Sequence, residues 1–78
     1  IISGGADKEV GQALEAGLDL YITGELNHQV YHTCIEGGIN LISAGHYHTE
    51  TYGVQNLMKK LAADTELDTT FVDVPTGL

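Results

Sequence analysis

Three times along this chain a short apolar run is followed by a glycine-bearing turn and then by apolar residues at helical spacing. Ile1 and Ile2 run into Ser3-Gly4-Gly5, after which Ala6, Val10, Ala13 and Leu14 mark one helix face that ends at Gly17. This reads as strand, tight turn and helix, with Asp7 as the candidate cap. Leu18 to Ile22 is a second apolar run, broken by Thr23-Gly24-Glu25. Leu26, Val30, Tyr31, Cys34 and Ile35 then predict a second helix, with Asn27 as its start signal and Gly37-Gly38 as its stop. Ile39 to Ile42 is the third run and turns at Ala44-Gly45. The third helix is the clearest, because Val54, Leu57, Met58, Leu61 and Ala62 fall on one amphipathic face. Its start is expected near His48 or Thr49. Beyond the polar stretch Asp64 to Asp68, Thr69 to Val74 reads as a fourth strand, stopped by Pro75-Thr76-Gly77.

The order β-α-β-α-β-α-β predicts one α/β domain over residues 1–78, a small, mainly parallel sheet with helices packed on it and right-handed crossovers. Strands that run the same way place Ser3-Gly4-Gly5, Thr23-Gly24-Glu25 and Gly45-His46 along one carboxyl edge. Open α/β sheets bind their ligands at that edge. A chain of 78 residues can bury only a small core. The opening IISGGA reads as a strand already under way, so the expectation is a segment of a longer, two-domain protein.

Charge narrows the function classes. Eleven Asp and Glu against three Lys and Arg give a formal charge of -8, the wrong sign for a phosphate backbone, and nucleic-acid binding is set aside. The same acidity gathers metal cations, and it also serves solubility or a high-salt setting. The single cysteine, Cys34, makes no internal disulfide, which points to a reducing, cytoplasmic setting. It lies on the apolar side of its helix with no basic neighbour to form a thiolate, so it reads as core. No signal peptide and no apolar run near 18 residues is present, so neither secretion nor a membrane partner is expected.

The densest chemistry lies in LISAGHYHTE, residues 41–50. His46 and Glu50 stand four apart, so a helix beginning there aims both at one volume. Imidazole and carboxylate are ligands for Zn²⁺, Mn²⁺ or Fe²⁺. The alternative is a hydrogen-bonded turn histidine and a glutamate that complements the helix dipole. His48, two residues on, diverges from His46 and reads as solvent-facing. His28 and His32 form another i, i+4 pair, more simply read as a surface pair lacking a third ligand. Ser3-Gly4-Gly5-Ala6 could offer backbone N–H groups to a phosphate, although two glycines also suit a tight turn. Glu25 reads as a general base, as a carboxylate supporting a metal ligand, or as a capping residue.

AGHYHTE and DLYITGE, within a pattern spanning nearly all of the chain, resemble the carboxyl-terminal segment of the NGG-interacting-factor-three-like family, also called GTP cyclohydrolase type 2 homologues. The resemblance implies a longer α/β protein with a dinuclear divalent-metal centre (Zn, Mn or Fe), frequently a toroidal homo-hexamer. The His and Glu of the family's G-H-x-x-T-E arrangement are metal ligands and match His46 and Glu50. The other ligands, adjacent histidines and an aspartate, belong to an amino-terminal half outside this sequence. The reaction implied is metal-assisted hydrolytic opening of a GTP ring, with a nucleotide as substrate. Glu25 joins this reading from its place on the shared sheet edge, as an auxiliary catalytic carboxylate, and not from the resemblance. A non-catalytic metal-binding, oligomerisation or scaffold module is the alternative.

Overall fold

Hydrogen bonding between the strand ends sets the architecture of the computed structural model, which describes residues 1–78. Two strands, β1 (Leu20–Thr23) and β2 (Asn40–Ser43), pair in parallel with Tyr21 opposite Leu41 and Ile22 opposite Ile42. On the other side of β1, Ile2 makes a single parallel bridge to Thr23, and its N–H donates to the Ile22 carbonyl at 2.9 Å. The expected first strand is therefore reduced to one bridge, but it keeps its place and direction.

Three helices follow the turns. A 3-10 turn at Asp7–Glu9 leads into α1 (Val10–Glu15), which is shorter than the predicted span from Ala6 to Gly17. Asp7 lies inside that turn and caps nothing; its carboxylate instead accepts a hydrogen bond from the Asn27 amide. The second helix, α2 (His28–Gly37), keeps its predicted limits. The Asn27 side chain accepts from the Val30 N–H at 3.0 Å, and the helix ends at Gly38 in the left-handed conformation. The third, α3 (His46–Asp64), starts at least two residues earlier than expected. Gly45 reaches φ 93°, a value open chiefly to glycine, and this lets the chain turn from β2 into helix within two residues.

The core is small and lies between α1, α2 and the sheet. Val10, Ala13, Tyr21, Val30, Cys34 and Ile39 are buried, with Leu14, Leu26 and Leu41 packed against them. Cys34 is a core residue, as its helix face predicts, and burial raises its thiol pKa. The Tyr21 hydroxyl reaches across this core to donate to the Ala6 carbonyl at 2.5 Å.

The carboxyl-terminal third departs from expectation. Residues 66–78 form neither helix nor strand, so the predicted fourth strand at Thr69 to Val74 is not made. The β2 edge is left open. No residue of α3 is buried, and the stripe that made this helix so legible stays exposed at Val54, Leu57 and Leu61. The chain is accordingly elongated, with a radius of gyration of 15.8 Å against about 11.5 Å for a compact domain of its length. No helix is long and apolar enough to cross a membrane.

The tightest packing is between turns. A Cβ at Gly24 would stand 2.4 Å from the Gly4 carbonyl oxygen and 2.9 Å from the Gly4 nitrogen, both backbone atoms that cannot step aside. Gly24→Ala should therefore lower stability by about 2 kcal/mol or more, read as a fall in the urea midpoint at constant slope. An unchanged midpoint would mean that this contact does not organise the fold.

Candidate metal centre

Three turns, as the parallel topology requires, meet at one edge of the sheet. The Gly4 carbonyl accepts from the N–H groups of both Gly24 (3.0 Å) and Glu25 (3.2 Å). Next door, the Ala44 N–H donates to the Thr23 carbonyl at 2.9 Å and the Gly45 N–H to the Gly24 carbonyl at 2.8 Å. This places Glu25 from the second turn beside His46 and Glu50 from the third.

His46 is the hub of the cluster. Its Nδ1 lies 2.7 Å from Glu25 Oε1, and its Nε2 lies 3.2 Å from Glu50 Oε1. The hydrogen bond to Glu25 is the main cause of a raised His46 pKa; partial desolvation opposes it and the Glu50 charge adds to it. Because the two carboxylates approach different nitrogens of one ring, the three side chains do not surround a common point. No three His, Cys, Asp or Glu side chains in the chain form a closed metal site.

The arrangement fits a metal site that is open and partial. Glu25 on Nδ1 holds the proton there and fixes the ring, the usual role of a carboxylate behind a metal-binding histidine. Nε2 then presents its lone pair on the side where Glu50 stands. Two donors bonded to one ion at about 2.0–2.1 Å are separated by about 3.0–3.4 Å, which the 3.2 Å between Nε2 and Glu50 Oε1 matches. His46 and Glu50 thus suit two positions on one ion. Water or residues from elsewhere would have to complete it.

The glycines of the first turn clear the space. A Cβ on Gly4 would fall 2.4 Å from Glu50 Oε1 and 3.3 Å from His46 Nε2, and one on Gly5 would fall 2.9 Å from Glu25 Oε1. The Gly4 N–H, a donor that a phosphate cradle would need, is bonded to Thr49 Oγ1 at 2.9 Å. This turn is built to admit the carboxylates. Thr49, to which sequence reasoning gave no role, also donates to the Gly45 or His46 carbonyl at 2.9 and 3.0 Å, tying the first turn to α3. Its sequence signal was its place as the threonine of the G-H-x-x-T-E arrangement.

One wall comes from the carboxyl-terminal segment. The Tyr47 hydroxyl donates to Asp73 at 2.5 Å, which raises the Tyr47 pKa, and accepts from the Val74 N–H at 2.8 Å. The Tyr47 N–H donates to the Leu78 carbonyl at 3.2 Å. An open cavity of about 320 Å³ results, lined by His46, Tyr47, Glu50, Thr76 and Leu78. His48 is exposed and takes no part in it, as its spacing from His46 predicts. His28 and His32 lie together on α2, apart from this cluster.

The model of the Duf34/NIF3 family (NGG1p interacting factor 3) matches residues 1–77. The chain belongs to the DUF34/NIF3 family. Curated relatives include proteins named GTP cyclohydrolase 1 type 2 homolog from Treponema pallidum, 47% identical over all of this chain and 27% of the relative, and from Archaeoglobus fulgidus, 42% identical over 99% and 31%. The solved structure of protein ybgI, described as of unknown function, superposes with a TM-score of 0.93 at 37% identity, covering 97% of this chain and 31% of that one. The chain thus spans about three-tenths of the length of these DUF34/NIF3 relatives, and the α/β fold is that of its structural neighbour.

The raised His46 pKa gives a pH dependence with a definite sign. A folded-state pKa above the ordinary value near 6.5 adds stability to the metal-free chain below that pH, and the gain is lost as pH rises through the folded-state value. The stability difference between wild type and Glu25→Gln should therefore be largest on the acid side of this transition and shrink above it. Urea unfolding across the range checks this, and a difference that grows with pH would contradict the assignment.

Proposed function

We propose that this chain supplies the carboxyl-terminal share of a divalent-metal hydrolase centre, with hydrolytic ring opening of a GTP-like nucleotide as its reaction. The observation that carries the reading is the pairing of His46 Nε2 with Glu50 Oε1 at 3.2 Å while Glu25 holds the opposite ring nitrogen. The names of the curated relatives support the substrate class.

In this reading each residue has a separate task. Glu25 keeps the His46 proton on Nδ1, so Nε2 is free to donate its electron pair. Glu50 adds an anionic oxygen on the same side, and the Gly4 turn leaves both atoms uncovered. Thr49 fixes α3 against that turn, so that His46 and Glu50 keep their relation. A bound divalent ion, of zinc, manganese or iron, would polarise the substrate and make water a better nucleophile. Two protein donors fill only part of an ion's coordination, so a two-ion centre draws its other ligands from residues outside these 78. The cavity beside His46 gives the substrate its approach.

A second reading is favoured by the uncovered α3 stripe at Val54, Leu57 and Leu61. Here the segment is an assembly module of a homo-oligomer, a hexamer in its full form, and the metal cluster serves structure or regulation. Exposed apolar surface on this scale marks contact surfaces.

Turnover of GTP by the full-length protein with Mn²⁺ or Zn²⁺ separates the two. His46→Ala and Glu50→Gln are each expected to cut the rate by about 100-fold or more, and Glu25→Gln by about 10- to 100-fold through loss of the support on Nδ1. Wild-type protein that assembles but shows no turnover, or turnover that survives His46→Ala, would sink the hydrolase reading. Gel filtration of the same variants should show assembly unchanged if the module reading holds.

A further inference from the structure

The outward face of α2 carries a pair of chemically competent side chains that the cluster at the sheet edge does not use. Val30 and Cys34 are buried and anchor one face of this helix to the core. His28 and His32 lie about 160–200° around the helix from Val30, and both are exposed. Their rings stand with centroids 5.0 Å apart and planes at 79°. Tyr31 packs edge-on against His32, with centroids 5.2 Å apart. Glu36 is exposed one turn further along the same stripe.

We infer that His28 and His32 form a second, independent binding site for a divalent late transition-metal ion such as Cu²⁺ or Zn²⁺. An ion bonded to a ring nitrogen at about 2.0–2.1 Å lies about 3.2 Å from that ring's centroid. Two imidazoles at a tetrahedral angle on one ion then have centroids about 5 Å apart, a spacing that the edge-on pair already has at 5.0 Å, with the nitrogens to be turned together by side-chain rotation. Neutral imidazoles are preferred ligands of these metals. The helix fixes the backbone positions of the pair, because it is capped by Asn27 at one end and packed through Val30 and Cys34, so only side-chain rotation is left for the ion to order. Glu36 and the net charge of -8 add a favourable field. Only two protein ligands are present, so the remaining positions on the ion belong to water. This inference does not rest on the role proposed for His46 and Glu50.

The test uses full-length protein carrying His46→Ala and Glu50→Gln, with alanine also at the adjacent histidines and the aspartate expected in the amino-terminal half, so that the other cluster is silent, and with its fold checked by circular dichroism. Calorimetric titration with CuCl₂ and ZnCl₂ should give one ion bound, more tightly for Cu²⁺ than for Zn²⁺. Adding His28→Ala or His32→Ala should weaken binding by about tenfold or more, since either change removes the advantage of a second ligand held at high effective concentration. In the unsubstituted protein, Zn²⁺ should protect His28 and His32 together from carbethoxylation by diethyl pyrocarbonate, read by mass spectrometry. No binding in the silent background, binding indifferent to both added substitutions, or modification of the pair unchanged by Zn²⁺ would overturn the inference.

Discussion

One backbone carbonyl, that of Gly4, organises the functional end of this molecule. It accepts hydrogen bonds from the N–H groups of both Gly24 and Glu25, while the N–H of the same residue donates to Thr49. Polar backbone groups buried at a strand end must find partners, and here the partners of one turn are supplied by the other two. The bonds close only if the chains approach to near contact. Gly4 and Gly24 permit that approach, since a Cβ on Gly24 would collide with the Gly4 backbone. The fixed spacing of the turns then fixes the side chains that leave them.

The cluster is a product of this spacing rather than of any one segment. Glu25 and His46 are 21 residues apart in the chain, and Gly4, which makes room at Glu50, comes 46 residues before it. Each element contributes a small part: a carboxylate behind the ring, a ring, a carboxylate beside it, and a cleared space. The raised His46 pKa expresses the same arrangement, because the hydrogen bond from the ring to Glu25 favours the charged form. A metal cation would replace the second proton in that field. The cluster is thus suited to bind one or the other.

The other end of the molecule is held less firmly. The core of six buried residues lies under α1 and α2, and α3 leans on the rest chiefly through its first turns and the Tyr47 bonds to residues 73–78. Its apolar stripe stays exposed at Val54, Leu57 and Leu61, with residues 69–72 only along its margin. Helices of this pattern gain most of their stability from packing, and α3 finds little of it among these residues. The chain's share of about three-tenths of its DUF34/NIF3 relatives is in keeping with that.

Sequence alone determined the alternation of strand, turn and helix, the limits of α2 and the Val30 and Cys34 positions of its core face, though not the exposure of Tyr31 and Ile35, because these limits depend on local spacing, on the Asn27 cap and on the Gly38 stop. It also placed the three turns on one edge, which follows from parallel strands whatever the packing detail. It misjudged the start of α3, since the conformation of Gly45 is decided by its bond to Gly24. A fourth strand was expected at Thr69 to Val74, but alternation shows only that a strand would suit those residues, while Asp73, Val74 and Leu78 are bonded to Tyr47 and not to the open β2 edge. What only the tertiary structure decided is the relation among Gly4, Glu25, His46, Thr49 and Glu50. Gly4-Gly5 read as a tight turn or a phosphate cradle, and Glu25 had three open readings, until the distances showed which neighbours they faced. Those distances arise from hydrogen bonds between segments far apart in sequence, and no local pattern encodes them.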